Sequence, residues 1–161
     1  MQRFDGKVVI VTGAASGIGE ATALRFAAEG ARAAVVDRRE DALKKVAAAL
    51  PNDRAIACVA DVANSNAVDA MIATTVTRFG RIDVLVNNAG IHGGGNPAEI
   101  TDEEWRAVMS ADADGVFYGC RAALPHLAKT RGSIITRRRY RDSAAAGACF
   151  PTTRPRARSS T

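Results

Sequence analysis

Three glycines near the N-terminus have the spacing of a turn that binds phosphate. Gly13, Gly17 and Gly19 follow Thr12 in the pattern T-G-x-x-x-G-x-G, between an apolar run and a stretch with helical periodicity. Backbone N–H groups at the start of a helix bind a pyrophosphate, because the helix dipole favours negative charge and glycine lets the ligand approach closely. A glycine-rich turn can also bind nothing, so the interpretation depends on the residues around it.

An acidic residue at the end of the next predicted strand supports the phosphate-binding interpretation. Asp37 lies 18 residues after Gly19, close to the spacing of roughly 20 residues for an acid that hydrogen-bonds the adenosine ribose of a dinucleotide. A carboxylate there favours NAD, because it repels the 2′-phosphate of NADP, although Arg38 and Arg39 partly offset that repulsion. The other interpretation is an acid merely exposed at a strand end. We therefore predict NAD as the cofactor, with NADP less favoured.

The stretches that position these residues alternate between strand and helix patterns. Apolar, β-branched runs predict strands buried on both faces, and the amphipathic stretches between them predict helices. The predicted strands are 7–12, 31–37, 55–60, 83–87 and 133–135, and the predicted helices are 20–29, 40–50, 66–79 and, from a Thr101–Glu104 capping box, 101–127. This order predicts an α/β fold, a Rossmann-like doubly wound parallel sheet truncated after about the fifth strand.

The composition suits a single soluble domain. Of the 161 residues 47% are hydrophobic, and no stretch reaches the roughly 18 apolar residues that would span a membrane. The N-terminus has no cleavable apolar leader pattern, so we predict a cytoplasmic protein without a membrane partner. Cys58, Cys120 and Cys149 lack C-x-x-C spacing, and His92 and His126 are isolated, so neither a disulfide framework nor a metal site is predicted.

The positive charge is confined to the C-terminal end of the chain. Residues 1–135 contain 15 Lys and Arg against 16 Asp and Glu, whereas residues 136–161 contain 7 Arg and 1 Asp. We therefore predict a dinucleotide-binding domain at 1–135 and a basic, disordered tail at 136–161, which shows no strand or helix periodicity. The tail could serve as a nucleic-acid-binding arm, but its aromatic content is limited to Tyr140 and Phe150, so no nucleic-acid partner is expected.

Three motifs in order make the sequence resemble the short-chain dehydrogenases/reductases. They are TGAASGIG at 12–19, Asp61-Val62, and NNAG at 87–90, and the resemblance runs from Asp5 to about Ile135. It implies an NAD(P)-dependent oxidoreductase that acts on an alcohol/carbonyl pair. It also implies that Asp61 and Val62 contact the adenine and that NNAG lines the cofactor cleft. The predicted cofactor-binding residues are Gly13, Ser16, Gly17, Ile18, Gly19, Asp37, Arg38, Asp61, Val62, Asn88, Ala89 and Gly90.

The residues that transfer the proton in that family are missing. The family uses a tyrosine as the acid, a lysine four residues later that lowers the pKa of the tyrosine, an earlier serine, and an asparagine. By the family's spacing, the positions of the serine, tyrosine, lysine and asparagine hold Arg139, Thr152, Arg156 and Asp112. Tyr140 is not a substitute acid, because Ala144 stands four residues beyond it. No catalytic residue is therefore predicted, and the chain is expected to be inactive as written.

A reading-frame shift near Thr136 is our hypothesis for this loss. Residues 151–156 can be written as the codons CCT-ACA-ACG-CGG-CCA-AGG. Read from the third nucleotide, these codons encode Tyr-Asn-Ala-Ala-Lys, which is the family's Tyr-x-x-x-Lys motif. The same displacement after Thr136 yields a serine thirteen residues before that tyrosine. Chance recovery through codon degeneracy and an error in the determined nucleotide sequence are the alternatives.

Two classes of function stay open from the sequence. The first is an oxidoreductase by descent that would act on a small alcohol or ketone if full length. The second is a non-catalytic NAD-binding module or partner subunit that docks through the helix at 101–127. The segment DGVFYGCRAALPHL within that helix resembles the family's dimer-contact helix, which implies a homo-oligomer. Because the sheet would be incompletely covered, poor solubility or association is expected.

Overall fold

Strands and helices alternate along the described chain, except that two helices follow one another before the last strand. The computed structural model describes residues 2–51, 53–91 and 98–137. The strands are β1 (Val8–Thr12), β2 (Arg32–Asp37), β3 (Ala55–Val59), β4 (Val84–Asn87) and β5 (Ser133–Thr136). The helices are α1 (Gly17–Ala28), α2 (Glu40–Ala48), α3 (Ser65–Phe79), α4 (Asp102–Met109) and α5 (Gly115–Thr130). A π-helical segment at Ser110–Asp114 joins α4 to α5. The predicted α/β class is confirmed.

The strands form one parallel sheet with the order β3-β2-β1-β4-β5. β1 lies at the centre, where Ile10 pairs with Ala34 of β2 on one side and with Leu85 of β4 on the other. The chain builds outward from β1 to β3 and then crosses to β4, so the strand order reverses between β1 and β4. In doubly wound sheets ligands bind at the carboxyl ends of the strands at this reversal. A ligand site is therefore expected at the carboxyl ends of β1 and β4.

Alternate residues of β1 enter two separate cores on the two faces of the sheet. Val9 and Val11 are fully buried and lie in a cluster with residues of α1 and α2, such as Ala23 and Leu43. Ile10 is equally buried and lies in a second cluster with residues of α3, β4 and α5. A strand buried on both faces explains the unbroken apolar run of its sequence. Among the described helices, none is long and apolar enough to cross a membrane.

The helical region that begins near Thr101 differs from the sequence prediction. The capping box is confirmed, because Glu104 N–H donates to Thr101 Oγ1 at 3.2 Å and Thr101 N–H donates to Glu104 Oε2 at 3.0 Å. The helical stretch predicted over 101–127 is present, but a π-helical segment interrupts it and α5 continues to Thr130. A π-helical turn accommodates an extra residue, which the 3.6-residue periodicity of the sequence does not reveal.

Asp83 joins the amino ends of β1 and β4. Its carboxylate is almost fully buried and accepts hydrogen bonds from the Val8 N–H, from Lys7 and from two nitrogens of Arg81. Burial acts to raise the pKa of Asp83, but these donors outweigh it and hold the pKa below its ordinary value. This charged cluster fixes the end of the sheet opposite the carboxyl ends of the strands.

Candidate functional site

A cleft of about 600 Å³ opens at the carboxyl ends of the central strands. Its volume lies within the usual range for small-molecule and cofactor sites. All of the predicted cofactor-binding residues line it: Gly13, Ser16, Gly17, Ile18, Gly19, Asp37, Arg38, Asp61, Val62, Asn88, Ala89 and Gly90. The lining also includes residues that were not predicted as binding residues, among them Arg39, Ile91, Ser110, Ala111 and Arg137.

The glycine-rich turn joins β1 to α1 and forms one wall of the cleft. Helix α1 begins at Gly17, three residues earlier than predicted, so Ile18 and Gly19 belong to its first turn. Ser16, the residue before the helix, makes no side-chain cap hydrogen bond, and its Oγ instead accepts a hydrogen bond from Arg39. The first N–H groups of a helix have no partner within the helix. They are therefore suited to bind an anion that enters the cleft.

Positions 17 and 19 require glycine for different structural reasons. Gly17 has a φ of +59°, a left-handed conformation that other residues rarely adopt, although a Cβ there would meet nothing within 4 Å. Gly19 has no such φ, but a Cβ on Gly19 would lie 2.1 Å from Gly13 O and 2.6 Å from Asn88 Nδ2. The first glycine allows the turn to form, and the second allows the turn to pack against the segment after β4.

Hydrogen bonds of Thr12 and Asn88 connect the glycine-rich turn to the NNAG segment. Thr12 Oγ1 accepts hydrogen bonds from the N–H groups of Asn88 and Ala89, each at 3.0 Å. Asn88 Nδ2 donates to Thr12 O at 2.9 Å and to Gly13 O at 3.3 Å. The first and third motifs of the sequence, 75 residues apart, therefore form a single rigid edge of the cleft.

Asp37 lies at the end of β2, and only 8% of its surface is exposed. Its carboxylate accepts hydrogen bonds from the Ala15 N–H at 3.1 Å and from the Arg39 N–H at 3.0 Å. It also accepts two from the Arg39 guanidinium, at 3.2 Å and 3.3 Å. Burial acts to raise the pKa of Asp37, but these hydrogen bonds outweigh it and keep the pKa below its ordinary value. Asp37 is therefore ionised at neutral pH, and it is not a merely exposed acid at a strand end.

Asp61 and Val62 line the cleft after β3. Asp61 Oδ1 accepts a hydrogen bond from the Ala63 N–H at 3.0 Å, which shapes the loop that leads to α3. Val62 packs closely against α5, because a Cβ on Gly115 would lie 2.9 Å from Val62 Cγ2. The pair thus contributes one polar and one apolar side chain to the lining of the cleft.

Asp112 stands in the π-helical segment, at the position where the family resemblance implies asparagine. Its Oδ1 accepts a hydrogen bond from the Ile91 N–H at 2.9 Å and would lie 2.8 Å from a Cβ on Gly90. The carboxylate therefore holds the end of the NNAG segment against the helices. A carboxylate has no N–H, so it cannot also donate a hydrogen bond as an asparagine would.

The three remaining positions of the family's proton-transfer set lie outside the described residues. They are Arg139, Thr152 and Arg156, and Tyr140 also lies there. In the sequence as a whole, the two tyrosines are Tyr118 and Tyr140, and the residues four positions beyond them are Ala122 and Ala144. The 161 residues therefore contain no Tyr-x-x-x-Lys motif.

A doubly wound parallel sheet with a glycine-rich turn and a buried acid at its strand reversal is the architecture of dinucleotide-binding proteins. The sequence profile of the short chain dehydrogenase family matches residues 7–137. The chain therefore belongs to the short-chain dehydrogenase family, as the three sequence motifs predicted.

Known proteins of this family resemble the chain over most of its length. Meso-2,3-butanediol dehydrogenase of Serratia marcescens is 48% identical over 133 residues, which are 83% of this chain and 53% of that protein. A short-chain dehydrogenase/reductase of the glucose/ribitol dehydrogenase type from Brucella melitensis has a TM-score of 0.80 and 38% identity, over 83% of this chain and 54% of that one. The 3-ketoacyl-(acyl-carrier-protein) reductase of Brucella melitensis, solved with NADH, has a TM-score of 0.79 and 37% identity, over 83% and 57%. The chain spans about half the length of the curated relatives it matches.

Proposed function

We propose that this chain binds NAD in the cleft at the carboxyl ends of β1, β2 and β4. The pyrophosphate would lie against the first N–H groups of α1, the adenosine ribose would bind Asp37, and the adenine would lie beside Asp61 and Val62. The observation that carries this proposal is that three motifs far apart in sequence meet in one cleft around the buried carboxylate of Asp37. The structural relative solved with NADH supports the same class of ligand.

The preference for NAD over NADP in this proposal depends on charge. Asp37 is ionised, and a carboxylate at the ribose accepts hydrogen bonds from its hydroxyl groups but repels a 2′-phosphate. Arg38 and Arg39 lie in the same cleft and reduce that repulsion. We therefore assign NAD as the preferred cofactor and NADP as the weaker one.

We further propose that a full-length enzyme with this cofactor site oxidises a small alcohol or reduces the corresponding ketone in the cytoplasm. The 161 residues as written do not complete this reaction. NAD supplies the acceptor for a hydride. The accompanying proton needs a group of tuned acidity, since an unperturbed phenol has a pKa of about 10. The chain contains no tyrosine followed by lysine at the required spacing. Because its relative from Serratia is a butanediol dehydrogenase, small vicinal diols are the first substrates to test.

The frame-shift hypothesis belongs to the same proposal. It explains in one step why the resemblance ends near Ile135 while seven arginines follow. It also predicts that serine, tyrosine and lysine codons lie in a second frame of the gene. Tail residues 138–161 lie outside the described structure, so this hypothesis rests on the sequence.

Replacement of Asp37 by asparagine is expected to weaken NAD binding about tenfold, since it removes a charged acceptor at the ribose while keeping the side-chain shape. Isothermal titration of the purified chain with NAD is the measurement, and a dissociation constant in the micromolar range is expected for the unmodified chain. Asp69→Asn, on the exposed surface of α3, is the matched control and should leave the affinity unchanged. The proposal fails if the unmodified chain shows no saturable NAD binding or if both variants bind equally.

A second candidate function is that of a non-catalytic, NAD-binding subunit that associates through the α4–α5 region. Trp105 on α4 and Phe117 and Leu124 on α5 are more than half exposed, at 53%, 58% and 54%. Phe117 and Leu124, seven residues apart, lie on one face of α5, and exposed apolar patches are characteristic of interaction sites. We propose a homo-oligomer that buries this surface, as the resemblance of the helix at 101–127 implies.

Replacement of Phe117 by aspartate is expected to shift such an oligomer toward the monomer, because a charge would have to be buried in the interface. Sedimentation velocity of both proteins at several concentrations measures the shift. Ala57→Asp is the control, since Ala57 is also exposed but lies on edge strand β3, away from the α4–α5 region. A monodisperse monomer for the unmodified chain at every concentration would exclude this association.

A further inference from the structure

A second cavity lies along the outer face of α1, between this helix and the N-terminal segment. It has a volume of about 420 Å³, and Ile18 is the one described residue that it shares with the cofactor cleft. Arg3 and Phe4 form one side of it. The other side is a stripe at helical spacing that runs along α1 to the residue after the helix: Ile18, Ala21, Thr22, Arg25, Phe26 and Glu29. We call this cavity the α1 groove.

Apolar side chains line most of the length of the α1 groove. Phe4 and Phe26 are partly buried and pack edge to face, with their ring centroids 4.7 Å apart. Ala21 is exposed on the same face, and Ile18, at the far end, is 53% exposed. The helix rises about 12 Å between Ile18 and Phe26. The groove therefore has the length and the lining to hold an extended apolar chain, whose removal from water favours binding.

The near end of the groove places two arginines on one carboxylate. Glu29 is 6% exposed, and it accepts hydrogen bonds from Nε and Nη2 of Arg3 and from Nε of Arg25. The hydrogen bonds from Arg3, together with those from Arg25, lower the pKa of Glu29 to about 2 although burial opposes them. Glu29 is thus ionised at neutral pH. Two positive charges face one negative charge, which leaves one positive charge in excess.

Both guanidinium groups retain donors for a ligand. An arginine has five N–H donors, and the hydrogen bond from Arg25 to Glu29 uses its Nε, so its two Nη groups can bind another acceptor. The side chains of Arg3 and Arg25 are 61% and 74% exposed, so an incoming ligand can reach them. A guanidinium binds a carboxylate through charge-assisted hydrogen bonds. The end of the groove at Glu29 is therefore suited to an anionic head group.

We propose that the α1 groove binds an organic anion with an unbranched apolar chain, of the size of a medium-chain fatty acid. Its carboxylate lies on Arg25 and Arg3, and its chain extends over Phe26 and Ala21 toward Ile18. An amine of the same length lacks the acceptor and is repelled by the excess positive charge. This site goes beyond the proposed dinucleotide binding and does not depend on it, because the ligand contacts the outer face of α1.

The first test compares three probes on the full 161-residue chain without NAD, by isothermal titration. Octanoate, an acid of about ten non-hydrogen atoms, is expected to bind with a dissociation constant of about 0.1–1 mM. Butyrate should bind at least about tenfold more weakly, because it buries less apolar surface. Octylamine should show no saturable binding. Absence of saturable octanoate binding, or equal affinities for octanoate and octylamine, overturns the inference.

The second test places the ligand in the α1 groove. Arg25→Gln is expected to weaken octanoate binding about tenfold, since it removes the charge of one donor. Ala21→Glu should abolish binding, because it puts a carboxylate where the apolar chain would lie. Arg78→Gln and Ala73→Glu are the matched controls, at exposed positions of α3 on the opposite face of the sheet. Thermal melting without ligand verifies that each variant is folded.

Both control variants should bind octanoate as tightly as the unmodified chain does. Equal losses of affinity in Ala21→Glu and Ala73→Glu would show that the acid binds non-specifically, and unchanged affinity in Arg25→Gln and Ala21→Glu would show that it binds elsewhere. Either result overturns the inference. An octanoate affinity that falls as the protein concentration rises would show that a second copy of the chain covers the groove, which also overturns it.

Discussion

Replacement of Gly19 by alanine is expected to abolish detectable NAD binding and to lower the free energy of unfolding by about 3 kcal/mol, as added atoms do in a closely packed site. The new Cβ would lie 2.1 Å from Gly13 O and 2.6 Å from Asn88 Nδ2. Both neighbours belong to the rigid edge formed by the glycine-rich turn and the NNAG segment, so neither can move without breaking the hydrogen bonds of Asn88. Denaturant unfolding and NAD titration measure the two effects.

Gly17→Ala is the matched comparison for this prediction. Its Cβ would meet nothing within 4 Å, so the cost comes from the left-handed φ of +59° alone, which is about 1–2 kcal/mol. Gly19→Ala should therefore destabilise the fold more than Gly17→Ala, although its backbone conformation is the less demanding one. A larger loss of unfolding free energy for Gly17→Ala than for Gly19→Ala would contradict this prediction. It would show that the left-handed backbone conformation, and not the close contact between the turn and Asn88, requires glycine in this turn.

Restoration of the second reading frame after Ile135 is expected to raise diol-dependent NADH formation by on the order of 10³-fold over the chain as written. The alternative frame supplies the serine, the tyrosine and the lysine that the family resemblance implies, and the lysine lowers the pKa of the tyrosine toward the working pH. The experiment inserts one nucleotide in the codon of Thr136 and expresses the gene to its next stop codon. Absorbance at the NADH maximum follows the reaction.

Changing the restored tyrosine to phenylalanine controls for activity that arises only from better folding. That variant should bind NAD as tightly as the restored protein and lose its turnover. Gene codons after Ile135 that do not encode Tyr-x-x-x-Lys in any frame would refute the frame-shift hypothesis directly. Intact-mass measurement of the natural product would show independently whether cells make 161 residues or a longer chain.

The parts of the fold that follow from local chemistry could be predicted from sequence. The run Val8–Val11 indicates a strand buried on both faces because every residue in it is apolar, and Val9 and Val11 lie in one core while Ile10 lies in the other. The capping box at Thr101 marks a helix start because its two hydrogen bonds join residues three apart. The glycine spacing and Asp37 are likewise a local pattern, since the turn and the acid that is proposed to bind the ribose belong to one βαβ unit.

The features that the sequence did not reveal depend on contacts between distant residues. The bridge from Arg39 to Ser16 joins residues 23 apart, and no short-range pattern distinguishes Arg39 from Arg38. Likewise, the burial of Asp83 against Lys7 and Val8 depends on the pairing of β1 with β4. The π-helical segment was missed because an inserted residue leaves the apolar periodicity on either side of it intact.

A crystal structure of the 161-residue chain grown with saturating NAD tests most directly whether this chain contains a complete cofactor site. We expect the pyrophosphate at the first N–H groups of α1, the adenosine ribose on Asp37, and the adenine beside Asp61 and Val62. An empty cleft in such crystals, or a dinucleotide bound elsewhere on the surface, would contradict the central claim.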